Sequence, residues 1–417
     1  MAGPGLGKLQ EWRRSTSAWQ LRWKVVTRGC SLTSSTMVYY VRFLKSPRIQ
    51  KHKADSISVS ALICLTTDLG DSFLADDVDL AVTLVVDRTN TVLQQRTIRW
   101  QAGKRELGIS LGPFRPPPSN QAVVLGIGAA GGSTSRSSRP HRQADNLLDR
   151  GGVPPVISGW STPFGGSQPA LAEKLVERRF SLQNQPDLRV WEETGNSIAR
   201  HIWDAALASV ICLQRATGGR APAMPFLQGL LQTKNSNPLN VVELGAGCGI
   251  VGIALAELRP RCSVLLTDLP EVHEIVARNI ASASPARKSV IDFRTLDWDA
   301  EYPEAVCSGE IDLILISDCT YNADSVPSLV RVLDVLVQGS PDAVVLVALK
   351  RRHESEAVFF DLMDAAAFGT LDRDTVPLPS SCAGEDPPVE NIEVYAFGRR
   401  GRTHGGLRPQ EKRSHSP

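Results

Sequence analysis

Asp268, Asp318 and Tyr321 are placed to do chemistry, because each stands at or just past the end of an apolar run. Asp268 belongs to a stretch that begins near Asn240. The apolar run Val241, Val242 and Leu244 is followed by Gly245, Gly247 and Gly249, and then by a helical pattern with Ile250, Ile253, Ala254 and Leu258 on one side. Val264, Leu265 and Leu266 form a second apolar run, which Asp268 closes. That order predicts a β-α-β unit with a ligand loop at its first crossover. Glycine suits the loop because a backbone that turns sharply against a ligand has no room for Cβ. The acid lies about 20 residues past the loop, where a carboxylate can bind two ribose hydroxyls. The loop alone does not name its ligand, since dinucleotide-binding folds use the same devices.

Asp318 and Tyr321 follow the apolar run of Ile311 to Ser317. A carboxylate there can hydrogen-bond an incoming ammonium and orient it. An aromatic face can stabilise a cation. An amine that is to attack an electrophile must be neutral and held at ~3–3.5 Å. The competing reading is a strand-end acid with a tyrosine packed on the next helix. Leu296-Asp297-Trp298 follows a third run, Val290 to Phe293, and Trp298 could border a purine or fill the sheet edge. Ligands of open α/β sheets bind beyond the carboxyl ends of the strands, so these groups should share one crevice. Glu243, just before the loop, completes Glu-x-Gly-x-Gly-x-Gly, which resembles motif I of the S-adenosylmethionine-dependent methyltransferases.

The elements that must position these groups alternate. Helices are expected at Glu271–Ile280, Ser325–Val337 and Glu354–Ala367, with Ser325 as N-cap, and strands at Asp342–Lys350 and Asn391–Arg399. Repeated β-α units imply a mostly parallel sheet covered on both faces. Ahead of the first strand, Ile198, Ile202, Ala205, Ala206 and Val210 recur at helical spacing from Ser197 on. Trp203 lies on that expected helix, either over the cleft or in the core. LAEKLVERRFSL, from Leu171, predicts a short amphipathic helix.

The 417 residues are expected to divide as follows. Residues 1–36 are Arg-rich with Glu11 the only acid, and are expected to be a disordered extension or a misplaced start, a mitochondrial transit peptide being the alternative. Residues 37–112 alternate β-branched and polar positions and predict a small β-rich subdomain. Residues 113–170, with Pro116-Pro117-Pro118 and a Gly/Ser-rich run, predict a linker. Residues 171–398 carry the α/β domain, and 399–417 a basic disordered tail. A net charge of +2 favours no polyanionic partner, and no apolar run approaches the ~20 residues of a membrane helix. Eight cysteines without a Cys-x-x-Cys pair point away from zinc and disulfides and towards a reducing, cytoplasmic setting.

Taken together, HIWDAAL, VVELGAGCGIVGIALA, TDLPEV, ARNI, LDW and LILISDCTY resemble the methyltransferase-like family 16 group (methyltransferase-like 21 type) of seven-strand protein-lysine methyltransferases. The resemblance covers about residues 190 to 398 and turns on an Asp-x-x-Tyr motif, here Asp318-Cys319-Thr320-Tyr321. It implies a Rossmann-like seven-strand α/β sheet, S-adenosyl-L-methionine as cofactor, and a lysine of a folded protein, such as an elongation factor or chaperone, as acceptor. It also implies that Trp203, Gly245, Ala246, Gly247, Asp268, Trp298 and Ser317 contact the cofactor and that Asp318 and Tyr321 face the lysine. Ser317 stands where family members often have alanine. No metal site is expected, and the chain is expected to be a monomer.

Nucleic-acid amino-methyltransferases of this fold carry Asn/Asp-Pro-Pro-Tyr/Phe at the same place. Cys319 and Thr320 replace the prolines, and no basic patch with interleaved aromatics lies nearby, which lowers a nucleic-acid substrate. The alternatives are a non-catalytic module that keeps the cofactor fold for docking, or a methyltransferase for a small molecule or nucleic acid. A nicotinamide oxidoreductase would need a Tyr-x-x-x-Lys helix, which does not follow the fourth or fifth strand.

Overall fold

Alternation along the strands sets the architecture. The computed structural model describes residues 37–53, 56–117, 120–131, 144–148, 153–195, 197–233, 238–300, 306, 309–352, 357–379 and 391–401. The expected extension at 1–36 and the tail from 402 on lie outside the described residues.

The N-terminal part is a two-sheet β-sandwich built from β1 (Tyr39–His52), β2 (Ser56–Thr66), β3 (Val78–Val86), β4 (Val92–Trp100), β5 (Leu107–Phe114), β6 (Val123–Ala129), β7 (Val156–Ile157), β8 (Gly159–Ser161), β9 (Leu175–Phe180) and β10 (Leu188–Glu193). One sheet has the order β5-β2-β1-β7 and the other β10-β9-β8-β6-β3-β4. Tyr39, Val41 and Phe43 of β1 enter the sandwich core, while Val38 and Tyr40 enter the core of the neighbouring α/β part. With successive side chains pointing to opposite faces, one strand thus serves two cores.

Two expectations fail here. Residues 113–170 do not form a plain linker, because β6, β7 and β8 lie within them and β6 is buried almost throughout. The glycines of β6 have a packing reason. A Cβ at Gly126 would overlap the Trp160 ring, and one at Gly128 would overlap the Ser158 hydroxyl. Glycine inside a strand here marks close approach rather than looseness. The stretch from Leu171 is not a helix either. β9 and β10 pair antiparallel and join the sandwich sheet. Glu177 there accepts from Arg179 two residues along its own strand and from Arg189 of β10, and Arg178 pairs with Glu192 of β10, so the charges that suggested a helix surface are partnered along and across the strands.

The second part alternates α1 (Asp204–Thr217), α2 (Pro225–Gln232), β11 (Leu239–Leu244), α3 (Ile250–Leu258), β12 (Cys262–Asp268), α4 (His273–Ser282), β13 (Val290–Thr295), β14 (Leu313–Ser317), α5 (Val326–Gly339), β15 (Val344–Lys350), α6 (Ala357–Ala365), β16 (Phe368–Pro377) and β17 (Asn391–Arg399). The seven-stranded sheet has the order β13-β12-β11-β14-β15-β17-β16. Strands β13 to β15 run parallel, and β17 inserts antiparallel between β15 and β16. Leu313, Leu315, Val344 and Leu346 pack with α1 and α3 on one face. Ile314, Ile316, Val345 and Val347 pack with α5 and α6 on the other. Burial on both faces explains the near-continuous apolar runs.

The helix expected from Ser197 starts instead at Asp204, with Trp203 at its N-cap position, and Ile198 is exposed. Ser325 stands at the N-cap of α5, but its hydroxyl donates to the Asn322 carbonyl rather than capping the helix.

Candidate active site

The glycine loop turns because its residues adopt the left-handed conformation, with φ of +67° at Gly245, +54° at Gly247 and +76° at Gly249. Space is as tight as the dihedrals. A Cβ at Gly245 would lie 2.6 Å from Cys319 Sγ and 3.3 Å from the Trp298 ring. The loop, the Leu-Asp-Trp segment and the Asp-x-x-Tyr motif therefore meet at one point, as the strand-end rule requires. A Cβ at Gly247 would lie 3.0 Å from the Ala199 carbonyl, so the segment before α1 closes the same crevice.

Two acids shape the loop from below and beside. Glu243 is buried, and its Oε2 accepts from the Gly252 N–H in the first turn of α3 at 2.8 Å. Burial pushes its pKa up to about 8, opposed by that hydrogen bond. Asp268 reaches back over the loop, with Oδ2 accepting from the Gly247 N–H at 2.7 Å and Oδ1 from the Leu269 N–H at 2.7 Å. Burial raises its pKa, and the two amides oppose the rise. Ala246 is buried, and its N–H donates to the Thr267 carbonyl at 3.0 Å. Trp298 is half-buried beside Gly245, and Asp297 is exposed. The Ser317 hydroxyl bonds the Ser209 hydroxyl at 2.7 Å, tying β14 to α1.

Asp318 leaves β14 in the left-handed region, φ +56°, which Asp tolerates better than most residues. Its N–H still donates to the Ala348 carbonyl at 2.9 Å, so it is fixed against β15. The side chain is buried, and both carboxylate oxygens are taken by Arg352, whose Nη1 donates to Oδ1 at 2.8 Å and Nη2 to Oδ2 at 2.6 Å. Tyr321 is 58% exposed at the rim, so the two motif side chains differ sharply in access. Partial enclosure, then the nearby Cys319, Asp268 and Asp318, hold its phenol above the ordinary value.

Residues outside the sequence-derived set complete the wall. Arg352 Nη2 also donates to Asp68 Oδ2 at 2.9 Å, and its guanidinium lies 5.4 Å from the centroid of the Trp203 ring. Trp203 thus borders the Asp318 end of the crevice. Beside them, Lys350 Nζ donates to Asp204 Oδ2 at 2.9 Å and the Tyr40 hydroxyl to Asp204 Oδ1 at 2.7 Å. Burial first, then the charge of Asp68, push the Asp204 pKa up to about 6. Asp68 and Tyr40 come from the β-sandwich, so that part of the chain walls the site. The basic cluster Lys350-Arg351-Arg352, closing the apolar strand β15, was the available signal for Arg352. Nothing local in Thr66-Thr67-Asp68 foretells its partner, which is 284 residues away.

A lysine methyltransferase family model matches residues 182–366. The chain is 32% identical over 174 residues to Protein N-lysine methyltransferase METTL21A of Danio rerio, covering 40% of this chain and 67% of that one. The chain belongs to this family of lysine methyltransferases. The methyltransferase is also 28% identical over 182 residues to EEF1A lysine methyltransferase 3 of Xenopus tropicalis, covering 42% of this chain and 68% of that one. A longer likeness, 26% over 335 residues, links it to UPF0665 family protein C23C4.06c of Schizosaccharomyces pombe, covering 77% of this chain and 91% of that one.

The family implies a methyl donor of the S-adenosylmethionine type. The residues fit such a group. The glycine cradle at Gly245 and Gly247 excludes any Cβ, and Asp268 stands at the end of the second strand of the sheet motif. Among the described residues, no group of His, Cys, Asp or Glu could hold a metal ion, and no helix is long and apolar enough to cross a membrane.

Proposed function

We propose that this enzyme moves a methyl group from S-adenosylmethionine to a lysine side chain of a folded cytoplasmic protein. The observation that carries the reading is the packing of Gly245 against Cys319 and Trp298. It sets the donor loop beside the motif whose acid and phenol would receive the lysine. Gly245, Ala246, Gly247 and Asp268 would hold the donor, with Trp203, Trp298 and Ser317 as walls. The donor supplies an electrophilic methyl on a sulfonium. Asp318 would orient the acceptor nitrogen, and the Tyr321 ring would stabilise the methylated cation. The chain's part in catalysis is positioning and exclusion of water, with no covalent enzyme intermediate.

A folded substrate suits the exposed rim. Tyr321, Leu69 and Ile198 all stand out from the surface near the strand ends. The name of the Xenopus relative makes a translation elongation factor the first substrate class to try. The test is incubation of the enzyme with methyl-labelled S-adenosylmethionine and a protein extract from cells lacking the gene. Label is expected on lysine of a discrete protein and is lost with Asp318→Ala. Label confined to RNA or small molecules would sink the lysine assignment.

A further inference from the structure

Asp318 is not an open carboxylate. Arg352 covers both of its oxygens, and the same Nη2 holds Asp68 Oδ2 at 2.9 Å. Asp68 is a stiff anchor. It is buried, its Oδ1 accepts from the Leu69 N–H at 2.9 Å, and its carbonyl accepts from Arg42 Nη2 at 2.9 Å. We propose that Arg352 is a positioning residue of the methyl-acceptor pocket, pinned by Asp68 of the β-sandwich so that its guanidinium cancels the Asp318 charge and the substrate lysine enters as the free amine. This rests on the lysine reading above.

The argument is one of charge. A lone buried carboxylate favours the charged form of an approaching lysine, and an ammonium has no electron pair to attack with. Bridged by Arg352, and with the Lys350 N–H also on Oδ1 at 3.4 Å, Asp318 keeps one unused acceptor site on Oδ2, since a carboxylate offers about four. It can still accept an N–H and aim the nitrogen. The ammonium proton leaves to bulk water. The Nζ lone pair then forms the N–C bond as the methyl C–S bond breaks, and that bond's electron pair stays on sulfur.

The surrounding charges leave Arg352 in control of the balance. Lys350 is matched by Asp204 at the start of α1, and Tyr40 of β1 donates to that same acid. Arg42 donates to the Asp68 backbone carbonyl and meets His201, and the buried Glu192 faces both. Asp268, the last residue of β12, and Glu271 just after it face Tyr321. Burial pulls the Arg352 guanidinium down, but Asp318 and Asp68 overcome it and hold it charged.

The test is the pH dependence of label transfer from methyl-labelled S-adenosylmethionine to the extract protein, for wild type, Arg352→Gln, Arg352→Lys and Asp68→Asn. Removing the cation should move the rising limb up by about one pH unit or more, with roughly a tenfold loss below it that is recovered above. Removing the second anion with Asp68→Asn should move it the other way. Arg352→Lys should keep the wild-type limb. Opposite shifts are what a charge balance produces. Losses by the same factor at every pH in all variants would mean a structural brace and overturn the proposal. Titration with S-adenosylhomocysteine should give wild-type affinity for Arg352→Gln. A tenfold loss there would place Arg352 on the donor side, through Trp203, and also overturn it. If Arg352→Gln does not fold, the downward shift of Asp68→Asn decides alone. A wild type that labels no lysine at any pH sinks the underlying function, whereas lysine labelling with unshifted limbs sinks this inference only.

Discussion

The Gly247 N–H donates to Asp268 Oδ2 across 2.7 Å, so the acid at the end of β12 holds the loop after β11 in place. Its other oxygen accepts from Leu269 N–H. The carboxylate therefore shapes the donor pocket as well as offering lone pairs to a ribose. Asp268→Asn keeps one acceptor and should weaken S-adenosylhomocysteine binding about tenfold, on the scale of one lost charged hydrogen bond. Asp268→Ala should weaken it more and lower the melting temperature, because the Gly247 amide loses its partner. Calorimetric titration and thermal melts of both variants check this. Equal affinity in all three proteins would remove Asp268 from the pocket.

Gly245→Ala tests the convergence of the loop with the Asp-x-x-Tyr motif. The new methyl would lie 2.6 Å from Cys319 Sγ, at a φ of +67° that alanine resists. A stability loss of about 1–3 kcal/mol is expected from overpacking and strain. Adding Cys319→Ala relieves the contact but not the dihedral, so the double variant should recover only part of the loss. Denaturation curves read both effects.

Glu243 predicts a pH dependence of stability. Its folded pKa, about 8, lies above the ordinary value of 4.5 because burial disfavours the charge. The native state then binds the proton more tightly than the unfolded chain. The contribution is fully present below about pH 4.5 and is lost as the pH rises through about 8. It is on the order of 5 kcal/mol across that window. Glu243→Gln keeps an acceptor for the Gly252 N–H and should flatten the dependence. Urea midpoints at both ends of the window, compared between the two proteins, measure the difference.

Gly126→Val tests why the glycines of β6 are there. The Trp160 ring occupies the space of the missing side chain. A loss of about 1–3 kcal/mol, or failure to fold, is expected. A variant as stable as the wild type would show the strand to be loosely packed.

Removing the β-sandwich should not leave a working enzyme. Val38, Tyr40, Ile157 and Phe180, all before residue 182, share one core with α1 and α3. A chain beginning at residue 182 exposes that apolar surface and loses the hydroxyl donor to Asp204. It should be insoluble or inactive, as expression and label-transfer assays would show. Activity comparable to the full chain would make the sandwich dispensable.

The α/β part was legible because its signals are local. Buried parallel strands demand unbroken apolar runs, and a backbone that turns tightly demands glycine. Asp268 and Asp318 could be picked out because each stands where an apolar run ends, at the edge from which ligands of such sheets are reached. The errors fell where one pattern has two physical causes. Glycine in β6 makes room for Trp160 rather than loosening the chain, and Glu177 and Arg178 of β9 pair with Arg189 and Glu192 of β10 rather than covering a helix.

What the sequence determined by itself was the order of strands, loop and acids, because each follows from a few neighbouring residues. The tertiary structure alone decided what faces Asp318. An arginine after β15 and an aspartate from a separate sandwich meet there only once two cores have packed together. No local rule encodes that meeting, since ion pairing depends on distance in space and the partners lie hundreds of residues apart.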